Sequence, residues 1–487
     1  MHKLILPLIL LLCLNTAEAG KLTRHVNPLL GTATLWEEKD LGYRRTIQER
    51  TWGAEVFPGS SLPFAMVQLT PVTRFRSGAG YEYEDQKIYG FAHTCKGHWN
   101  LLHLPLLPVT GSIDTDDYAS PFHHTQEKAE PGYYRVLLER YGVNAELTST
   151  LRCAYHRYTF RPEDDKALLV DITRSNNHIS EWQLRQVGDS AFEGFQNGEG
   201  KLYFFARCNY PISRIEQVKS AQHEVSVIRF RNSHGNRPLE IRIGCSFVSI
   251  EGARMNLGHE MGHKDFQQIR READHTWEHQ LEKINVTGGS PRQKGIFYSC
   301  LYRSQLWPAL RSDVNGDYTD ARGNVVNGGF KYYTDPSFWD DYRNKLILVG
   351  LLSPEVATDI IKSITDRGEK QEGYMPTFFH GDHASTFVAG SYLRGLHGFD
   401  LNRAYRLLLK NATIPGRGGR PYLDEYLKQG WIAEKDTVNV PTWNEYKAAV
   451  TKTVEYAYDD YATALVARTL GDTANCNLLM KRSMQQR

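Results

Sequence analysis

The residues of this chain best suited to chemistry lie in one stretch, Asp335-Pro-Ser-Phe-Trp-Asp-Asp-Tyr-Arg343. An aromatic face beside a carboxylate is what a pyranose requires: the C–H face of the ring stacks on Trp339, and Asp340 accepts two hydroxyl protons. Charge-assisted hydrogen bonds of that kind are worth about 1.5–3 kcal/mol each. The same residues also fit a helix N-terminus, with Asp335 as cap, Pro336 at the first position and Trp339 in the core. Spacing alone leaves both readings open.

Two further segments carry polar groups at useful spacing. Gly373-Tyr-Met-Pro-Thr-Phe-Phe-His-Gly-Asp-His-Ala384 brings His380, Asp382 and His383 together. Three potential ligands of mixed type on one loop make a weak metal set, so His380 and Asp382 are expected to form a hydrogen-bonding wall of a sugar subsite. In Thr453-Val-Glu-Tyr-Ala-Tyr-Asp-Asp-Tyr461, Glu455 and Asp459 stand four apart and share a helical face. Such a pair serves either as acid and base or as a structural couple. Trp99, in His98-Trp99-Asn100, is a candidate for the leaving-sugar subsite and equally a packed loop residue.

The elements that must position these groups fall into two halves. From about Lys21 to Ser249 the chain alternates like strands. Leu239–Phe247 runs apolar and polar in turn, and Val225–Phe230 and Ala167–Ile172 are short β-branched runs. Asn197-Gly198 marks a hairpin and 233–236 a loop. No helices alternate with the strands, which favours an antiparallel sandwich. After about Gly252 the period becomes helical. Phe266–Leu281 is highly charged and reads as a solvated linker helix. The run 293–307 places Ile296, Phe297, Cys300, Leu301 and Ser304 on one stripe. Helices are also expected over 354–365, 384–396, 402–409, 422–428, 451–470 and 475–487. The domain boundaries follow: signal peptide 1–19, β-sandwich 20–252, linker helix 253–290 and helical domain 291–487.

Composition narrows the compartment and the partners. Lys3, the apolar run Leu4–Leu14 and Ala17-Glu18-Ala19 form a cleavable secretory signal, which implies a periplasmic or secreted protein. That run is too short for a permanent anchor, and no second segment of ~18 apolar residues follows. With 58 Lys+Arg against 56 Asp+Glu, the charge of +2 carries no basic stripe for nucleic acid or an anionic membrane. Six cysteines follow the signal, none in a C-x-x-C pair, so a zinc or redox motif is unsupported.

Four segments, read in order, carry a resemblance. They are Val26-Asn-Pro-Leu-Leu-Gly-Thr32, the run from Val56-Phe-Pro-Gly59 to Pro71, Gly80-Tyr81, and Ile88-Tyr-Gly-Phe-Ala-His-Thr94. Singly they are turns around buried strands. As a set they resemble the N-terminal domain of glycoside hydrolase family 92, the calcium-dependent exo-α-mannosidases, although Thr94-Cys95-Lys96 departs from the family's usual run. The Phe338–Arg343 segment resembles the family's SLWDTYR motif, which implies sugar contact by Trp339 and Asp340. Thr453–Asp460 is similar to its TLEYAYDD helix.

The resemblance implies an N-terminal β-sandwich followed by an α/α barrel, calcium as cofactor and mannose-containing glycans as partners. It also implies inverting hydrolysis of terminal linkages, α-1,2 foremost, with acid and base ~6.5–9.5 Å apart. The family's EGNAWQY-like, GNEPSH-like and GDDDxGxMSAWY-like motifs have no counterpart in this sequence, and Leu478–Arg487 reads as an unfinished helix. The barrel is therefore expected to be incomplete, the acid and base to lie beyond Arg487, and the chain alone to be inactive. Two alternatives remain: a sugar-binding protein without turnover, and an inverting sugar phosphorylase.

Overall fold

The computed structural model describes residues 21–35, 53–94, 101–219, 224–434 and 447–484. The expected signal peptide lies outside them. Strands fill the first half, chiefly in two antiparallel sheets. The six-stranded sheet runs, in spatial order, through Thr70–Val72, Gly90–Ala92, Leu106–Val109, Ala167–Val170, Glu224–Phe230 and Ile212–Lys219. The eight-stranded sheet runs through Glu181–Val187, Ala191–Gly198, Gly200–Cys208, Leu239–Ser246, Cys153–Thr159, Val143–Ser149, Tyr133–Leu138 and Lys128–Glu130. Their inner faces share one core, in which Leu107, Leu169 and Val227 meet Leu147, Phe204 and Ile241. The hairpin at Asn197-Gly198 is present, with Gly198 paired to Gly200. The loop at 233–236 carries the chain from one sheet to the other.

Two helices, not one solvated linker, cover the outer face of the larger sheet. They are α1 (Ile250–Glu260) and α2 (Phe266–Leu281). Ala253, Leu257, Phe266 and Ile269 pack on Tyr133, Cys153, Tyr155 and Phe205. A Cβ on Gly244 would come within 2.0 Å of the Ala253 carbonyl oxygen, so only glycine lets α1 sit this close. The charge of α2 hid its other face, which buries Phe266, Ile269, Ala273, Trp277 and Leu281.

The helical half continues with α3 (Pro291–Ser304), α4 (Phe338–Asp341), α5 (Lys345–Leu352), α6 (Pro354–Lys370), α7 (Ala384–Leu393), α8 (Leu401–Thr413), α9 (Leu423–Gln429), α10 (Ala449–Thr469) and α11 (Thr473–Ser483). Only part of the stripe expected on α3 faces inward: Leu301 is buried and Phe297 half-buried, but Ile296 and Cys300 are exposed, and Tyr298, Ser299 and Tyr302 are buried beside Leu301. The two tyrosines decide this, because Tyr302 packs on Trp277 with ring centroids 4.3 Å apart and Tyr298 stacks on His25. Among the described residues no helix is long and apolar enough to cross a membrane.

The segments that carried the resemblance join the halves. The Asn27 amide donates to Ser299 Oγ (2.9 Å), and Arg303 Nη2 donates to the carbonyls of Pro28 and Leu30. The Phe64 amide donates to the Gln305 carbonyl at 2.7 Å, and Gln68 Nε2 to the Leu306 carbonyl at 2.6 Å. A Cβ on Gly59 would lie 1.6 Å from the Leu69 carbonyl oxygen, which accounts for the glycine of Phe57-Pro58-Gly59. His93, from the fourth segment, is fully buried. Its Nδ1 donates to the Leu104 carbonyl (2.9 Å), so the neutral ring must accept at Nε2 from His156 Nε2 (3.0 Å). His156 then accepts at Nδ1 from the Tyr158 hydroxyl (2.7 Å).

This chain of neutral groups leaves no acceptor for an added proton, and burial pushes His93 down to about 4 and His156 in the same direction. A histidine pKa depressed by folding gives stability that is complete above the unfolded value near 6.5 and is lost as pH falls toward the folded one. Unfolding free energy should therefore drop between about pH 6.5 and 4, by on the order of 3 kcal/mol from His93 alone. Urea titrations at stepped pH check this; a constant value over that window would contradict it.

Candidate functional site

The stretch that reads as sugar chemistry forms the single turn α4 and the loop residues on either side of it, just before α5. Its N-cap is Ser337, not Asp335. Asp335 is engaged elsewhere: its carboxylate pairs with Arg367 and its carbonyl accepts from Trp307 Nε1. Phe338 is the residue that enters the core, which leaves Trp339 half-buried and Asp340 exposed. Asp341 is buried and paired with Lys345 at 3.0 Å.

The turn is clamped to α10. Glu455 accepts from the Tyr342 hydroxyl (3.3 Å) and from Arg343 Nη2 (3.2 Å), and the guanidinium lies 4.4 Å over the Tyr342 ring. Tyr342 stacks on His383, with centroids 3.9 Å apart and planes 12° from parallel. His383 lies between the two carboxylates of α10, with Nδ1 3.0 Å from Asp459 and Nε2 3.4 Å from Glu455. Glu455 and Asp459 thus share a face as expected; Asp459 is hydrogen-bonded to the imidazole at Nδ1, and Glu455 approaches Nε2 without a hydrogen bond.

Trp339 and His380 come together, with ring centroids 5.6 Å apart and nearly perpendicular, and Phe379 meets the same indole at 6.0 Å. His380 is half-buried with no partner for Nδ1, and burial lowers its pKa. Trp339 Nε1 is also buried without a partner. This corner presents a half-buried aromatic face with two unpartnered ring nitrogens buried beside it.

Asp382 departs from the expected subsite wall. It is fully buried, accepting from Asn411 Nδ2 (3.1 Å) and Arg420 Nε (3.1 Å), while its amide donates to Asp459 (2.6 Å). Arg420 Nη1 goes on to Asp460 at 2.6 Å, and Asp460 also takes Arg482 and the Tyr426 hydroxyl. Asp382 therefore holds α7, α8 and α10 together and offers no atom to a sugar. Trp99 lies outside the described residues.

Asp340 borders a cavity of about 200 Å³ at the junction of the two halves. The loop 54–57 and Gln68 form its strand-side wall, and Arg303, Trp307 and the α4–α5 turn form the other. Sequence reasoning passed over Glu55, Arg303 and Trp307: Glu55 is remote along the chain from the other two, and no motif singles them out. Calcium, the expected cofactor, finds no ligand set here. Among the described residues no three His, Cys, Asp or Glu side chains are grouped to hold a metal ion, and Asp382, Asp459 and Asp460 are engaged by arginine, asparagine and histidine.

Comparison with known proteins adds the family context. The sequence model described as the glycosyl hydrolase family 92 N-terminal domain matches residues 25–246, and that of the family's catalytic domain matches residues 252–487. A curated protein named as an uncharacterized secreted glycosidase, from Arthroderma benhamiae, is 24% identical over 519 residues, which take in 93% of this chain and 60% of that protein. The structure of a family GH92 alpha-mannosidase from Bacteroides thetaiotaomicron is similar with a TM-score of 0.83 and 28% identity, over 96% of this chain and 66% of that one. The complex of that enzyme with mannoimidazole is similar with a TM-score of 0.82 at 28% identity, over 96% of this chain and 63% of that one. The chain thus spans about three-fifths of the curated relative's length.

Proposed function

The chain belongs to glycosyl hydrolase family 92, and from that premise we propose that it is an exo-acting α-mannosidase. It binds a terminal mannose of a glycan at the Trp339–Asp340 corner for cleavage of α-linkages, α-1,2 first, with inversion, the acid and base being expected from the family's later motifs and not from the residues described. One observation carries the reading: α4 presents a half-buried indole and an exposed carboxylate side by side, on a turn fixed by Glu455 from α10. A turn held in this way does not have to be ordered when the sugar arrives. The mannoimidazole complex of the Bacteroides thetaiotaomicron relative supports mannose as the ring bound. The secreted glycosidase to which the chain is similar supports export as a periplasmic or secreted protein. Calcium dependence rests on the resemblance alone.

A second reading, sugar binding without turnover, is favoured by the engagement of Asp382, Glu455 and Asp459 with protein partners. The test is mannose release from α-1,2-, α-1,3- and α-1,6-mannobiose, with calcium and with chelator, while the first-formed anomer is followed by NMR. The proposal expects fastest release from the α-1,2 disaccharide and β-mannose as the initial product. Binding without release would favour the second reading, and turnover that requires phosphate would replace hydrolysis by phosphorolysis.

A further inference from the structure

Glu55 stands on the strand-side loop of the junction cavity with a backbone φ of 48°, in the left-handed region that residues with a Cβ rarely adopt. Its Oε1 is buried and has no hydrogen-bond partner. Across the same cavity, Arg303 commits Nη2 to the Pro28 and Leu30 carbonyls (2.6 and 2.7 Å), which leaves Nη1 buried and unpartnered. Burial and the charge of Glu82 push the Glu55 carboxyl up to about 7, and burial draws the Arg303 guanidinium down to about 10. One acceptor and one donor without protein partners therefore belong to two residues that line a single cavity beside Asp340, with room for about six waters or one small polyol. Two adjacent hydroxyls satisfy such a pair. One donates to the carboxylate oxygen and its neighbour accepts from the guanidinium, and each keeps a further hydrogen-bonding valence for the groups around it.

We propose that Glu55 and Arg303 are specificity-determining residues that clamp a vicinal diol of the bound pyranose, the strand half of the chain thereby completing a sugar site begun by Trp339 and Asp340. The inference rests on the sugar-site reading but not on mannose being the sugar. Besides Glu82, the charged groups bordering this cavity with Glu55 are Arg303 on α3 and Asp340, Asp341 and Lys345 on the α4–α5 turn. Hydroxyl donation favours the ionised carboxyl, so binding should tighten as pH rises through about 7.

The test is calorimetric titration of the purified protein with methyl α-mannoside, methyl α-glucoside and methyl α-galactoside, between pH 6 and 8. For whichever glycoside binds, Glu55→Ala should raise Kd at least ~10-fold. Glu55→Gln, with the wild-type melting temperature, should bind with no pH dependence across this range. If the glucoside or galactoside binds and the mannoside does not, the mannosidase reading fails while the Glu55 assignment stands on its own variants. Unchanged Kd in Glu55→Ala would overturn the assignment, as would wild-type pH dependence in Glu55→Gln or failure of all three glycosides to bind the wild-type protein. Should Glu55→Ala not fold, the Glu55→Gln pH profile decides.

Discussion

Arg420→Ala is expected to lower the unfolding free energy by about 3–5 kcal/mol, the usual cost of leaving one partner of a buried ion pair behind. Arg420 has no solvent-exposed side-chain surface, and neither have Asp382 and Asp460, the two carboxylates it bridges. Asp460 would keep Arg482 and the Tyr426 hydroxyl. Asp382 would keep only Asn411 as a side-chain partner, with the Asp459 carboxylate accepting from its own amide. Even with Arg420 present, burial and the charge of Asp459 push the Asp382 carboxyl up to about 7. Since this folded value is above the unfolded one near 3.9, ionisation of Asp382 weakens the fold as pH rises from about 4 through 7. In Arg420→Ala the loss of stability should therefore be larger at pH 8 than at pH 5. Urea unfolding at the two pH values measures this. A loss below about 1 kcal/mol at both would mean the network contributes little.

Asp340→Ala should raise Kd for mannoimidazole at least ~10-fold and, where turnover is measured on an α-mannoside, lower kcat/KM by at least ~10². The carboxylate is exposed, and the core of its turn is supplied by Phe338 and by the Asp341–Lys345 pair, so the melting temperature should stay near wild type. Asp340→Asn keeps one acceptor oxygen and should lose less. Wild-type affinity in Asp340→Ala would remove the residue from the sugar site.

The strand half was legible because alternation is a local property. Leu239–Ser246 reads as a strand from its own residues, although its last four positions are buried on both faces once α1 covers the sheet. The helical half was legible in extent and less so in facing. α10 shows why: it buries Ala457, Asp459 and Asp460 while Val450, Val454, Tyr458 and Tyr461 stay exposed, so hydropathy does not separate its sides. The apolar run of α5, Lys345–Leu352, has no polar face to reveal a period and was passed over. Trp339, Asp340 and His380 could be nominated because each sits in a motif. Asp382 sits in one too, but its partners Asn411 and Arg420 lie 29 and 38 residues away, and only the fold reveals that they consume it. The pairing of Glu55 with Arg303 depends on the junction of two domains, which no local pattern encodes.

The claim on which the rest depends is that the Trp339–Asp340 corner, at the junction of the sandwich and helical halves, holds a monosaccharide. A crystal structure of the protein with mannoimidazole tests it most directly. The account predicts one ligand with its ring on the Trp339 indole, a hydroxyl within hydrogen-bond distance of Asp340, and a neighbouring pair of hydroxyls reaching Glu55 and Arg303. A ligand bound at any other surface would contradict it, as would no binding at millimolar concentration by a protein that melts cooperatively.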